Sequence, residues 1–216
     1  MTGFMIAMNK EEIILDGLRV LFPSPKCELI YNKDYELLLS TMLSAQTTDK
    51  RVNLVTSEIY KKYDSLEKLN NLSVKEIEEM IKTIGMYKTK AKNFKGIVSS
   101  LLELGYFPSD RNILESLPGV GRKTTNVVLA NLFGEKVIAV DTHVLRVSKR
   151  LGLAKESDGP LEVEKKITNR FSKYDMDGLH NRLVLFGRYK CTSRNPLCTD
   201  CPFKEICKYY KKCIKK

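Results

Sequence analysis

The sequence has no long apolar run, few turn-forming residues and fewer acidic than basic side chains. No apolar stretch approaches the roughly 20 residues that a membrane-spanning helix needs, and the apolar patch in MTGFMIAMNK is too short for a secretory signal. Only seven prolines and twelve glycines occur in 216 residues, which excludes fibrous and low-complexity chains. These absences predict a globular, intracellular protein that does not enter a membrane.

The shortage of acidic side chains leaves a formal net charge of +11. The lysines recur along the whole chain instead of forming a terminal tail. A strongly basic chain favours a polyanionic partner, and nucleic acid is the commonest one. A basic protein that is merely soluble remains the alternative at this point.

Strand-like alternation of apolar and polar residues is also absent, whereas apolar residues recur at helical spacing in most of the chain. The clearest helix follows the capping box of Ser73 and Glu76, and we expect it to end at Gly85. Another helix is expected to begin near Asp141. The sequence therefore predicts an all-α fold, and its length allows one or two domains.

Four of the six cysteines cluster near the C-terminus with six, two and five residues between them. In an intracellular chain such a cluster indicates a metal site rather than disulfides. Zinc is usually held by two close cysteine pairs, but only one C-x2-C is present, so zinc and an iron–sulfur cluster both remain open. The four candidate ligands are Cys191, Cys198, Cys201 and Cys207.

The stretch SLPGVGRKTTNVVL, residues 116–129, combines glycines and basic residues before an apolar helix. It is not a phosphate-binding P-loop, because Arg122 directly precedes the lysine, and Thr124 replaces the third glycine of a dinucleotide fingerprint. What remains is a helix-hairpin-helix, in which the backbone N–H groups of Gly119, Val120 and Gly121 hold a DNA phosphate without reading bases.

Two residues near this hairpin have alternative interpretations. Lys123, in the first turn of the following helix, is either a nucleophilic amine or a further phosphate contact. Asp141 in VDTHV is either a carboxylate that serves such a lysine or a helix N-cap. From position alone, the phosphate contact and the N-cap are the simpler interpretations.

Three motifs together resemble the endonuclease III family of helix-hairpin-helix DNA glycosylases and abasic-site lyases. They are LPGVGRKTTNVV, the later VDTHVLRV and the C-x6-C-x2-C-x5-C pattern. LSAQTTD at 43–49 and IKTIGMYKTKA at 81–91 also resemble segments of that family. The likeness runs from about residue 35 to residue 207.

The resemblance implies a discontinuous two-domain architecture. A six-helix barrel would comprise residues 27–135, and an iron–sulfur domain would comprise residues 1–26 with 136–216. The four clustered cysteines would hold a [4Fe–4S] cluster, and Arg194 would face a DNA phosphate. DNA would lie in the cleft between the domains.

The resemblance also assigns roles to single residues. Lys123 would form the Schiff base and Asp141 would be the catalytic carboxylate. Gln46 and Met86 would fill the gap left by the extruded nucleotide, although the family commonly has leucine where Met86 stands. The glycines and Val120 of the hairpin, with Arg122, would contact the DNA backbone.

The implied function is removal of oxidised pyrimidines from duplex DNA, followed by β-elimination 3′ to the abasic site. The protein would act as a cytoplasmic monomer on damaged or abasic sites of chromosomal DNA. A mismatch glycosylase is the enzymatic alternative, but such relatives usually lack the lysine. A metal-stapled DNA-binding module without activity is the alternative of a different class.

Overall fold

The computed structural model describes residues 8–214, and the chain divides into two compact units. One unit is Cys27–Phe133, and the other combines the segment that ends at Lys26 with the segment that begins at Gly134. Residues 8–214 contain helices and no strand, which confirms the predicted all-α fold. In this described part no helix is both long and apolar enough to cross a lipid bilayer. Most of the N-terminal apolar patch, residues 1–7, lies outside it.

The unit of residues 27–133 contains seven helices within the described residues. α2 lies at its centre, because residues 36–43 are buried in succession and the helix packs against α3, α6 and α8. A helix that is apolar on nearly all sides requires such a position. The seven helices are α2 (Asp34–Leu43), α3 (Asp49–Lys62), α4 (Leu66–Asn70), α5 (Val74–Ile81), α6 (Tyr87–Leu104), α7 (Arg111–Ser116) and α8 (Arg122–Leu132).

The start of α5 confirms the predicted capping box, but the predicted end is wrong. The Ser73 hydroxyl accepts a hydrogen bond from the Glu76 amide at 3.3 Å, and the Glu76 carboxylate accepts one from the Ser73 amide at 2.8 Å. The helix ends at Ile81 instead of Gly85. A tight turn follows directly, in which the Ile84 amide donates to the Ile81 carbonyl at 2.8 Å. This turn reverses the chain, so that α5 packs along α6.

The second unit combines the N-terminal helix with three consecutive helices from the C-terminal part of the chain. α9 packs against α10 and α11, and α11 also packs against the N-terminal α1. The buried Arg182 guanidinium links the two chain segments of this unit, because it donates to the carbonyls of Phe22 and Pro23 at 3.0 and 3.3 Å. The helices are α1 (Lys10–Leu21), α9 (Thr142–Leu151), α10 (Pro160–Phe171) and α11 (Leu179–Tyr189), and a π-helical turn follows at Tyr210–Ile214.

Candidate functional site

The hairpin, residues 117–121, joins α7 to α8 as the sequence predicts. Leu117 and Val120 are buried, and the Val120 amide donates to the Leu117 carbonyl at 3.1 Å. Gly119 and Gly121 are exposed, and Gly119 has a positive φ of 72°. The apolar residues therefore anchor the hairpin from inside, while the glycine backbone and the N-terminus of α8 face outward.

The hairpin packs directly against α6. A Cβ added at Gly96 of α6 would lie 2.8 Å from Cγ of Pro118, and one added at Gly119 would overlap the side-chain amide of Asn93. Glycine is favoured at Gly96 because the Pro118 ring occupies the space of a side chain, and at Gly119 because the backbone has a positive φ. α6 therefore fixes where the exposed face of the hairpin lies within this unit.

Lys123 is exposed as the second residue of α8, directly after the hairpin. Below it, α8 is held to α7 by the Arg111 guanidinium, which donates to Oδ1 of the buried Asn126 at 2.8 Å. The lysine amine therefore extends from a fixed helix into solvent, beside outward-facing backbone amides. A lysine placed in this way can contact a phosphate or attack an electrophile.

Gln46 and Met86 lie on two adjacent loops of the same unit. Both residues are exposed and both have left-handed backbone conformations, with φ of 56° and 59°. The loops touch at Gly85, where an added Cβ would lie 3.8 Å from the Gln46 carbonyl oxygen. The structure therefore brings together two loops whose exposed residues, Gln46 and Met86, are 40 positions apart in the sequence.

Lys90 of α6 is a buried residue that the sequence interpretation missed. Only 4% of it is exposed, and its ammonium donates to the carbonyls of Leu43 and Ala45 at 2.8 and 2.5 Å and to the Thr47 hydroxyl at 3.3 Å. Burial lowers the pKa of the Lys90 ammonium from its ordinary value. Nothing in its spacing distinguishes it from the exposed lysines nearby.

Asp141 lies in the second unit as the N-cap of α9. Its Oδ1 accepts a hydrogen bond from the Val144 amide at 2.8 Å, which orients the carboxylate at the positive end of the helix dipole. His143 packs against α11, because an added Cβ at Gly187 would lie 2.8 Å from the His143 Cβ. His143 therefore has a packing role that accounts for its position.

The four clustered cysteines line one cavity in the second unit, together with Leu151, Phe186 and other side chains. Cys213 is exposed, and Cys27 belongs to the other unit. In the part of the chain that the structure describes, no three His, Cys, Asp or Glu side chains are grouped closely enough to hold one metal ion. The four thiols thus surround a space instead of converging on a single point.

Two arginines of α9 hold the chain around Cys191. Arg150 donates to the carbonyls of Thr192 and Ser193 at 2.6 and 3.0 Å, and its Nη1 lies 3.4 Å from Sγ of Cys191. Arg146 donates to the Cys191 carbonyl at 3.1 Å. These charge-assisted bonds orient a segment that has no regular helix.

The thiols of the cavity lie close to N–H donors and to one another. The Tyr210 amide donates to Sγ of Cys207 at 3.5 Å. Burial raises the pKa of the Cys198 and Cys201 thiols, and the other cysteines of the cavity raise it further. A bound cation reverses this effect, because it stabilises the thiolates that coordinate it.

Arg194 is exposed in the loop between Cys191 and Cys198. Its carbonyl accepts a hydrogen bond from the Thr192 hydroxyl at 2.6 Å, and the next residue, Asn195, has a φ of 50°. The loop is therefore tightly turned, with the arginine at its exposed tip.

Residues 39–173 match the model of the HhH-GPD superfamily base excision DNA repair proteins. The all-helical fold, the helix-hairpin-helix and this match define a DNA glycosylase of base excision repair.

Individual relatives narrow this class. The endonuclease III of Bacillus subtilis (strain 168) is 42% identical over 214 residues, which cover 98% of this chain and 98% of that protein. A non-covalent endonuclease III–DNA complex has a TM-score of 0.88 at 41% identity, covering 97% of this chain and 100% of that chain. A trapped endonuclease III–DNA covalent intermediate gives 0.86 at 41% identity, covering 95% and 98%. The chain belongs to the endonuclease III family of DNA glycosylases and abasic-site lyases.

Proposed function

We propose that this protein excises oxidised pyrimidines from duplex DNA and cleaves the strand 3′ to the resulting abasic site, with Lys123 as the nucleophile. The observation that carries the proposal is the exposed amine of Lys123, which follows directly on the hairpin at the N-terminus of α8. A relative that is 41% identical forms a trapped covalent intermediate with DNA, which supports a covalent step.

The hairpin is proposed to hold the DNA backbone. Gly119, Val120 and Gly121 present backbone amides next to the N-terminus of α8, where an anion is favoured. Arg122 adds a fixed positive charge beside them, and Arg194 is proposed to contact a phosphate from the exposed loop of the other unit. Such contacts position DNA without reading its sequence, so they suit an enzyme that acts on damage.

Gln46 and Met86 are proposed to enter the duplex where the damaged nucleotide leaves it. Both are exposed on adjacent loops, and the apolar Met86 side chain suits insertion between stacked bases. Extrusion costs a few kcal/mol, and the cost is smallest for a base that stacks poorly. Oxidised pyrimidines that are saturated at the 5,6 bond, such as thymine glycol, have lost aromatic planarity, so this selection favours them.

The chemistry begins when the Lys123 amine forms a bond to C1′ of the extruded nucleotide. The glycosidic bond breaks, and its electron pair leaves with the base, which takes up a proton. The attached nitrogen loses a proton, and its lone pair then forms a C=N bond as the ring oxygen leaves C1′ and is protonated. A proton is then lost from C2′ to a proton-accepting group, and this β-elimination expels the 3′ phosphate.

Asp141 is the proposed carboxylate for these steps. It would stabilise the positive charge that develops on the sugar and assist the proton transfers. The hydrogen bond from the Val144 amide holds this carboxylate in one orientation, so it need not reorganise during the reaction. Asp141 would thus act both as the N-cap of α9 and as the catalytic carboxylate, so the two interpretations of this residue are compatible.

The cysteine cavity is proposed to hold a [4Fe–4S] cluster with a structural role. Four cysteines line one cavity, and their spacing contains only one C-x2-C pair where zinc is usually held by two, which favours a cluster. The Arg150 guanidinium and the Tyr210 amide supply N–H groups to two of the sulfurs. When bound, the cluster would cross-link the chain between Cys191 and Cys207.

We further propose that the protein works as a monomer on chromosomal DNA in the cytoplasm. Sedimentation of the protein alone and with one lesion-containing duplex is expected to give one protein per duplex.

Borohydride trapping tests the proposed reaction. Wild-type protein is incubated with a duplex that contains thymine glycol or an abasic site, and borohydride reduces any Schiff base to a stable adduct. We expect an adduct with wild type and none with Lys123→Gln. Lys75→Gln is the matched control, because Lys75 is also the exposed second residue of a helix, and it should form the adduct normally.

Three results would count against the proposal. Absence of the adduct in wild type would favour a DNA-binding module without activity. Persistence of the adduct in Lys123→Gln would remove Lys123 from its role. Cleavage of mismatched but undamaged duplexes in preference to thymine glycol would favour a mismatch glycosylase.

A further inference from the structure

Lys90 connects the two loops that carry Gln46 and Met86. Its backbone amide donates to the Met86 carbonyl at 3.1 Å, in the first turn of α6, for which Met86 is the N-cap. Its side chain reaches the other loop and bonds the carbonyls of Leu43 and Ala45 and the hydroxyl of Thr47. These acceptors surround Gln46 on both sides in the sequence.

We propose that Lys90 is a positioning residue that holds the Gln46 loop in the conformation needed to enter the duplex, in register with Met86. The proposal rests on the gap-filling roles that the proposed function gives to those two residues. Lys90 touches neither the DNA nor the reacting atoms in this arrangement.

The number of hydrogen bonds excludes a phosphate contact for Lys90. An ammonium has three N–H donors, and here all three have acceptors on the loop. With 4% of the residue exposed, no donor remains for a DNA phosphate. All three N–H groups of the Lys90 ammonium are therefore bonded within the protein.

The ammonium also stabilises a backbone that is unfavourable by itself. Leu43 ends α2, so its carbonyl lacks a partner within the helix and lies at the negative end of the helix dipole, where a cation is favoured. Gln46 has a left-handed conformation, which is unfavourable for a residue with a Cβ. Without the ammonium, the hydrogen bonds to the Leu43 and Ala45 carbonyls and to the Thr47 hydroxyl would be lost, and the loop would relax to other conformations.

A merely structural lysine exists on the same helix and provides the control. The Lys95 ammonium donates to the carbonyl of Asn70 and, at 3.0 Å, to Oδ1 of its side chain. Lys95 thus links α6 to the end of α4, and neither of these hydrogen bonds reaches residues 43–47. Lys90→Met and Lys95→Met remove the same group from the same helix.

The test combines one structural and two functional measurements on the full chain. Hydrogen exchange reports the amides of residues 44–48. Fluorescence of 2-aminopurine placed opposite a tetrahydrofuran abasic analogue reports insertion into the duplex. Single-turnover rates are measured for base removal from thymine glycol and for strand cleavage at a preformed abasic site.

For Lys90→Met we expect faster exchange at 44–48, loss of the fluorescence change and base removal slowed by about tenfold or more, because small misplacements of positioning groups are costly. Cleavage at the preformed abasic site should fall by less than about threefold, because no base has to be unstacked there. Lys95→Met should keep the wild-type fluorescence change and the wild-type ratio of the two rates.

Each other outcome overturns a defined statement. Wild-type exchange at 44–48 in Lys90→Met, or a rate ratio equal to that of Lys95→Met, overturns the role of Lys90. A wild-type fluorescence change in both Gln46→Ala and Met86→Ala overturns the gap-filling roles in the proposed function instead. If Lys90→Met does not fold, Thr47→Val, which removes one acceptor from the loop, is measured in its place and judged by the same results.

Discussion

The hairpin of residues 117–121 and the cysteine segment, residues 191–207, both turn the chain sharply, but they are held by different means. The hairpin buries its own Leu117 and Val120 and packs glycine backbone against α6. The cysteine segment depends on guanidinium groups of α9 and on four thiols around a cavity. The hairpin is anchored by its own buried apolar side chains, whereas the first loop of the cysteine segment, residues 191–198, buries none and takes hydrogen-bond donors from α9.

The largest effect should come from removing a cysteine of the cavity. We expect Cys201→Ser to lose the visible absorbance of the iron–sulfur cluster and to lower the free energy of unfolding by more than about 4 kcal/mol, the scale of losing a bound metal group. Absorbance and thermal unfolding measure both effects. Cys213→Ser, which changes an exposed cysteine outside the cavity, should leave them unchanged. A stable, colourless wild-type protein that contains zinc would refute the cluster.

Removing the arginine that holds the segment should have the next largest effect. Arg150→Met deletes donors to the Thr192 and Ser193 carbonyls, and we expect a loss of about 2–3 kcal/mol because these are charged hydrogen bonds. Arg170→Met is the control, since Arg170 forms a partly exposed ion pair with Glu11 at 3.2 Å and should cost less than about 1 kcal/mol. Equal losses in urea unfolding would contradict this account.

The two glycines of the hairpin should respond differently to the same substitution. Gly119→Ala forces a Cβ onto a backbone with φ of 72° and into Asn93, so it should cost about 1–3 kcal/mol of stability. Gly121→Ala meets nothing within 4 Å, and because Gly121 is the N-cap of α8 it should cost less than about 1 kcal/mol.

Gly121→Ala should nevertheless weaken binding to abasic DNA, because the added methyl group lies where the phosphate is proposed to approach. Titration of both variants with labelled duplex at fixed salt measures this effect. Unchanged affinity in Gly121→Ala would mean that the hairpin does not contact the backbone at this residue.

The smallest effect concerns a hydroxyl just beyond the hairpin. Oγ1 of the buried Thr125 has no hydrogen-bond partner within residues 8–214, so Thr125→Val should be neutral or stabilising by up to about 1 kcal/mol. Thr56→Val is the matched change, because the buried Thr56 hydroxyl donates to the Val52 carbonyl at 3.0 Å, and it should destabilise. Opposite signs in thermal unfolding are the expected result.

Local patterns predicted some elements well and others poorly. The capping box of Ser73 and Glu76 is a contact between residues three apart, so the sequence shows it directly. The end of α5 depends on how the chain turns back along α6, and the prediction of Gly85 was therefore wrong. The short α4 was not predicted, although its Ser65 N-cap is a local signal that was available.

The sequence by itself determined the all-α fold, the helix-hairpin-helix and the family, because periodicity, capping and motif spacing depend on residues close together in the chain. Only the tertiary structure decided that Lys90 is buried against the loop of Gln46 and that the Arg150 guanidinium holds the carbonyls of Thr192 and Ser193. Such contacts join residues more than 40 positions apart in the sequence. Many lysines and arginines of the chain have the same chemistry, and tertiary packing decides which of them form these contacts. In the sequence, Lys90 and Lys92 are equally basic; in the fold, Lys90 is buried and Lys92 is exposed.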